Sequence, residues 1–96
     1  MNKVKILCCC GAGMGTCMVL RARVDKVMTK LGIQANIQNE SIQQGLTMYK
    51  QFDYVFCNCN LVHQFKEAEQ YHTKIIGLEN VTSLTEIEER FLAAGN

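Results

Sequence analysis

The sequence predicts an α/β domain: a four-stranded parallel sheet in the order 2-1-3-4, with helices on both faces in three layers. Three observations carry this. Short β-rich runs alternate with helix-length segments along the whole chain, which is the pattern of a parallel sheet. The first run, Lys3 to Cys9, is apolar on both of its faces, as a covered central strand is. Glycine recurs at 11, 13 and 15 directly after that run, giving a strand, a flexible turn and a helix start.

The elements follow in order. In the first strand Val4, Ile6 and Cys8 share one face and Lys5, Leu7 and Cys9 the other. A helix is expected from about Thr16 to Leu31, because Cys17, Leu20, Val24, Val27 and Leu31 recur at helical spacing. Lys30 and Gly32 mark its end. Ile33, Ala35 and Ile37 alternate with Gln34, Asn36 and Gln38, which reads as a half-exposed edge strand. Ser41 to Tyr49 reads as a short helix weakened by Gly45.

Asp53 to Cys57 is a third, central strand, and Asn58-Cys59-Asn60 its exit loop. Leu61 to about Tyr71 is expected to be helical, on a weak period. Lys74 to Leu78 is the fourth strand. Ser83-Leu84-Thr85-Glu86 has the form of a capping box and opens a last helix burying Leu84, Ile87, Phe91 and Ala94.

Ninety-six residues are read as a single domain, 1–96. The net charge of +1 gives no reason to expect nucleic-acid binding. Its distribution is uneven: residues 1–24 carry four basic and no acidic residues, residues 25–96 six basic and nine acidic. The segment around the glycine turn is therefore locally electropositive and suits an anion. No apolar run approaches the ~20 residues that span a bilayer. No signal peptide is recognised, so a cytoplasmic protein with reduced thiols is expected.

The chemistry centres on Cys10, at the carboxyl end of the first strand, where ligands bind in such sheets. A helix N-terminus and turn amides lower a thiol's pKa and cradle an anion. Gly11, Ala12, Gly13, Met14, Gly15, Thr16 and Cys17 form the expected phosphate cradle, with the Thr16 hydroxyl as a donor or helix cap. Low-molecular-weight phosphatases and arsenate reductases place an arginine six residues after such a cysteine; here that residue is Thr16, which favours holding a phosphoryl group over hydrolysing it.

Six cysteines raise two rivals, a metal site and a redox role. The spacings Cys8-Cys9-Cys10 and Cys57-x-Cys59 match no usual zinc pattern, so no metal is expected. His63 and His72 read as surface residues. Arg21 and Arg23 read as a solvated helix face, or as a docking face for an acidic partner.

The run Ile6-Leu7-x-x-Cys10-Gly11-x-Gly13-x-Gly15-Thr16-x-Met18 resembles the active-site loop of enzyme IIB components of the bacterial sugar phosphotransferase system, most of all the ascorbate and galactitol branch. The resemblance implies a flavodoxin-like, low-molecular-weight-phosphatase-like topology. It implies that Cys10 accepts a phosphoryl group from a phosphohistidine of a IIA partner. Cys10 then passes it to a sugar carried by a membrane-embedded IIC partner, without a cofactor. The protein would then be peripheral to the inner membrane through IIC, with no insertion of its own. Family loops often carry a second small hydroxyl residue where this chain has Cys17. The alternatives are a phosphatase or arsenate-reductase-like enzyme, and a redox- or anion-sensing module that uses the same loop.

Overall fold

Four strands pair in the order β2-β1-β3-β4, all parallel. They are β1 (Val4–Cys10), β2 (Ala35–Ser41), β3 (Tyr54–Asn58) and β4 (Lys74–Leu78). Among the described residues three α-helices accompany them: α1 (Met14–Leu31), α2 (Ile42–Met48) and α3 (Leu84–Ala94). The computed structural model describes residues 3–10, 14–65 and 71–94, with 10 and 14–17 described by backbone alone. The expected order 2-1-3-4 stands.

The alternation in β1 sorts the core into two clusters. Ile6 and Cys8 join Leu20, Val24, Val27, Met28, Phe56, Leu78, Ile87 and Phe91 on the α1/α3 face. Leu7 and Cys9 join Tyr49, Phe52, Val55, Cys57 and Phe65 on the α2 face. Ile6, Leu7, Cys8 and Cys9 are all fully buried, as a strand covered on both sides requires. Of the expected α1 stripe Leu20, Val24 and Val27 are buried and Leu31 is half-buried; Met28 widens it, and the Cys17 side chain lies outside what the structure describes. Gly32 closes that helix at φ +73°, and the Ile33 N–H donates to the Met28 carbonyl at 2.9 Å.

Several boundaries differ from the sequence reading. Strand β2 starts later and runs on through Ser41, because pairing with β1 continues from Val4↔Ala35 to Cys10↔Ser41 after the apolar alternation has ended. Ser41 also caps α2: its Oγ accepts from the Gln44 N–H. The helix expected at 61–71 is instead a 3-10 run over Cys59–Gln64, with residues 66–70 outside the described residues. That run sits tightly on β4, since a Cβ built on Gly77 would lie 3.1 Å from the Cys59 Cα. Helix α1 begins at Met14, so Thr16 is its third residue and does not cap it.

The capping box is half realised. Ser83 Oγ accepts from the Glu86 N–H at 3.2 Å. The Glu86 carboxylate instead accepts from the N–H groups of Glu79 and Asn80, at 2.7 and 3.0 Å. Those bonds, with Arg90 close by, lower the Glu86 pKa and hold the turn after β4.

The amino ends of three strands are tied through Asp53. Its N–H donates to the Lys5 carbonyl, its carboxylate accepts from the Lys5 N–H, and its carbonyl accepts from the Lys74 N–H. The neighbouring buried Thr73 hydroxyl meets the Tyr49 and Phe52 carbonyls at 3.1 and 2.6 Å.

Gly45 is a helical position where a side chain is sterically barred. A Cβ there would drive into the Sγ of Cys9. Gly45→Ala therefore destabilises by about 1–3 kcal/mol through overpacking, even after the ~1 kcal/mol of helix propensity that alanine returns. A urea-unfolding series checks this: adding Cys9→Ala should recover most of the loss, because it removes the obstructing sulfur.

Candidate functional site

Cys10 is the last residue of β1, a central strand, at the carboxyl end of the sheet. Four residues later α1 begins at Met14. The first turn of a helix leaves its N–H groups without intrahelical partners, so α1 presents donors and the positive end of its dipole at the strand's exit. Met14, Gly15, Thr16 and Cys17 form this first turn, while Gly11, Ala12 and Gly13 lie outside the described residues. Met18 and Val19, one turn on, are exposed apolar residues on the rim.

Strand register brings two further polar residues level with Cys10. Ser41 is its direct partner on β2. On the other side the pairing runs Ile6↔Tyr54 to Cys8↔Phe56; carried two residues on, it sets Asn58 beside Cys10. The sequence reading had placed Ser41 at a helix start and Asn58 in a loop. No spacing motif joins them to Cys10; the signal lies in strand register.

Each of the two has its oxygen engaged in the local turn. Ser41 Oγ accepts from the Gln44 N–H, and Asn58 Oδ1 accepts from the Asn60 N–H, both at 3.3 Å.

The other cysteines divide by burial. Cys8, Cys9 and Cys57 are fully buried. Burial pushes each thiol up from its ordinary 9.0 to about 12, with a smaller contribution from neighbouring thiols or, for Cys9, from Glu40. These three thiols stay protonated at neutral pH and serve as small core residues. Cys59 is exposed in the 3-10 run, with its Sγ 3.9 Å from Asn60 Oδ1. Among the described residues no three His, Cys, Asp or Glu side chains converge as a metal site.

The raised thiols have a pH consequence. Unfolded thiols ionise from about pH 8.5, whereas the buried ones hold their protons towards 12. Their contribution to stability is therefore intact below about pH 8.5 and declines as pH rises from there towards 12. The slope of unfolding free energy against pH in that window is expected to become shallower when Cys57 is replaced by alanine. A thiol reagent at pH 7 should modify Cys59 in the folded protein, and Cys8, Cys9 and Cys57 only on unfolding.

The two histidines are exposed and lie at opposite ends. His63 is in the 3-10 run after β3, at the same end as Cys10. His72 lies at the amino end, its Nε2 3.5 Å from the Asp53 carboxylate. Arg21 is not simply solvated: its Nε donates to the Ile37 carbonyl on edge strand β2 at 3.3 Å. Among the described residues no helix is long and apolar enough to cross a membrane.

Comparison with known proteins agrees with this arrangement. Residues 5–92 match the family model described as "PTS system, Lactose/Cellobiose specific IIB subunit". The chain is 31% identical over 88 residues to the ascorbate-specific PTS system EIIB component of Mycoplasma pneumoniae, covering 92% of this chain and 90% of that protein. Its fold is similar to that of the lactose-specific IIB component domain from Streptococcus pneumoniae. That likeness has a TM-score of 0.76 at 13% identity and covers 99% of this chain and 100% of that one. The flavodoxin-like sheet, the family match and the relative lead to one conclusion: the chain belongs to the IIB subunit family of the sugar phosphotransferase system, a family of phosphotransferases that work with IIA and IIC partners.

Proposed function

We propose that residues 1–96 form one phosphoryl-carrier domain in which Cys10 is the transfer residue. The observation that carries this is the placement of Cys10 at the end of a central strand, four residues before the N-terminus of α1. The Cys10 thiolate attacks the phosphorus of a IIA phosphohistidine. A P–S bond forms, the P–N bond breaks, and the imidazole keeps the electron pair. A sugar hydroxyl then attacks the phosphorus, the P–S bond breaks with its electron pair going to sulfur, the thiolate leaves, and the hydroxyl's proton passes to solvent water. The backbone amides of residues 11 to 17, which include the first turn of α1, neutralise the group in transit, with no metal or cofactor in either step.

The sugar belongs to the ascorbate/galactitol class, a reading supported by the loop and by the name of the 31%-identical relative. That sugar is carried by the membrane-embedded IIC partner, so the domain works from the cytoplasm at the inner membrane. The exposed apolar pair Met18 and Val19 suits partner contact at the rim.

The test supplies phosphoenolpyruvate, the general phosphotransfer proteins and the cognate IIA, then maps the phosphoryl mass. The expected result is a stable adduct on the Cys10 peptide that discharges to ascorbate or galactitol in membranes containing IIC. No adduct with an active IIA overturns the reading. Rapid turnover of an aryl phosphate would instead favour a phosphatase.

A further inference from the structure

We propose that Ser41 and Asn58 are phosphoryl-binding residues that bracket Cys10 from the two neighbouring strands. This deepens the transfer reading and rests on it. The two residues occupy the row of Cys10, one on each side: Ser41 as its register partner on β2, and Asn58 by continuing the β1–β3 register. Neighbouring strands lie about 4.8 Å apart, so both side chains start within reach of a group bonded at the Cys10 position.

Face agrees with row. Along β3, Phe56 packs in the α1/α3 cluster and Cys57 in the α2 cluster, so Asn58 returns to the α1 side. Its own partner on β4, Leu78, is fully buried in the α1/α3 cluster. On β2, Ile37 belongs to that cluster, and Ser41 follows it by an even number of residues. By alternation both positions fall on the α1 side of the sheet, at its carboxyl edge, while their oxygens bond into the first turns of α2 and of the 3-10 run. The first-turn amides of α1 serve the same anion.

The hydrogen bonds set which end of each group is available. Ser41 Oγ accepts from the Gln44 N–H and Asn58 Oδ1 accepts from the Asn60 N–H. Those bonds occupy acceptors and leave the donors, the Ser41 O–H and the Asn58 Nδ2–H2, for an incoming oxyanion. They also hold the donors in place before the ligand arrives, which lowers the ordering cost of binding. Two neutral donors supply part of the stabilisation that an arginine gives in the phosphatases, where this chain has Thr16. Because they are neutral, they leave the group free to move on.

Aspartate tests the assignment with little change to the fold. Ser41→Asp keeps an N-cap acceptor for α2, and Asn58→Asp keeps the acceptor for the Asn60 N–H. Each replaces a donor by a negative charge beside the phosphoryl group. Phosphoryl acceptance from phospho-IIA is expected to fall at least about a hundredfold in either variant. Asn58→Ser, which retains a shorter donor, should fall less than Asn58→Asp.

A second readout needs neither partner nor phosphate: the pH profile of iodoacetamide alkylation at Cys10. Its midpoint should rise by about one unit or more in both aspartate variants, since a like charge that close disfavours the thiolate. Melting temperature is recorded alongside, and a shared drop in stability does not by itself move that midpoint. Wild-type acceptance rates in both aspartate variants overturn the proposal, and so does an unmoved alkylation midpoint. Failure of the underlying transfer reading is told apart from these, because it shows as no adduct on the unsubstituted protein.

Discussion

Cys10→Ser is expected to lose phosphoryl acceptance by at least about a thousandfold while melting within a degree or two of the parent. Serine fills nearly the same volume and ends the strand equally well, so the pairing Cys10↔Ser41 survives. What is lost is the nucleophile. A hydroxyl has no appreciable anionic fraction at neutral pH, and the helix end and turn amides stabilise a thiolate already formed; they do not strip a proton from an alcohol. Quench-flow transfer from labelled phospho-IIA measures the rate, and calorimetry the fold. The same substitution at Cys8, Cys9 or Cys57 should give the opposite pattern: stability falls, because a hydroxyl is brought into the fully buried core, while phosphoryl acceptance persists in the folded fraction. Retained transfer in Cys10→Ser would move the chemistry to another residue.

Phe56→Ala carries the largest expected cost in stability. Phe56 is the largest fully buried side chain, on central strand β3, with its ring stacked 6.3 Å from that of Phe91. Tyr54, on the same face, lies 4.7 Å from the Phe91 ring, so this cluster joins β3 to α3. Removing the ring loses transfer energy and opens a cavity that the surrounding strands cannot close, at about 3–5 kcal/mol. Domains of this size are stable by roughly 5–15 kcal/mol, so this one substitution removes a large share of that margin. Urea unfolding should show a lower midpoint at unchanged slope. Phe56→Leu should lose much less, since it keeps most of the volume.

The strands and their order were readable because burial on both faces leaves no ambiguity: Val4-Lys5-Ile6-Leu7-Cys8-Cys9 has no solvent side from Ile6 on. The helix stripe from Leu20 to Leu31 was readable because its apolar residues recur at helical spacing with exposed polar residues between them. Boundaries failed where polar residues adopt regular structure through partners distant in sequence. Asn39, Glu40 and Ser41 are in a strand because β1 offers them a ladder, and nothing in their own pattern says so. Of the stretch after β3, the described residues form a 3-10 run packed on Gly77, a contact that only the fold creates. At the site, Cys10 stood out by its glycine-rich surroundings. Ser41 and Asn58 did not, because they reach its row through register and lie 31 and 48 residues away in sequence.

The Asp53 bonds bear on how such a domain diversifies. They fasten β1, β3 and β4 to one another at the end remote from Cys10. Alignment of the rows is thereby anchored away from the chemistry, and the loops at the carboxyl end carry little of that burden. A library that varies the rim around Met18, Cys59 and His63 should therefore yield mostly folded members with altered partner preference. One that varies Asp53 should yield members that fold poorly whatever their rims contain. Evolution working on the same scaffold has the same freedom: it can retune what the domain meets without disturbing where its strands lie.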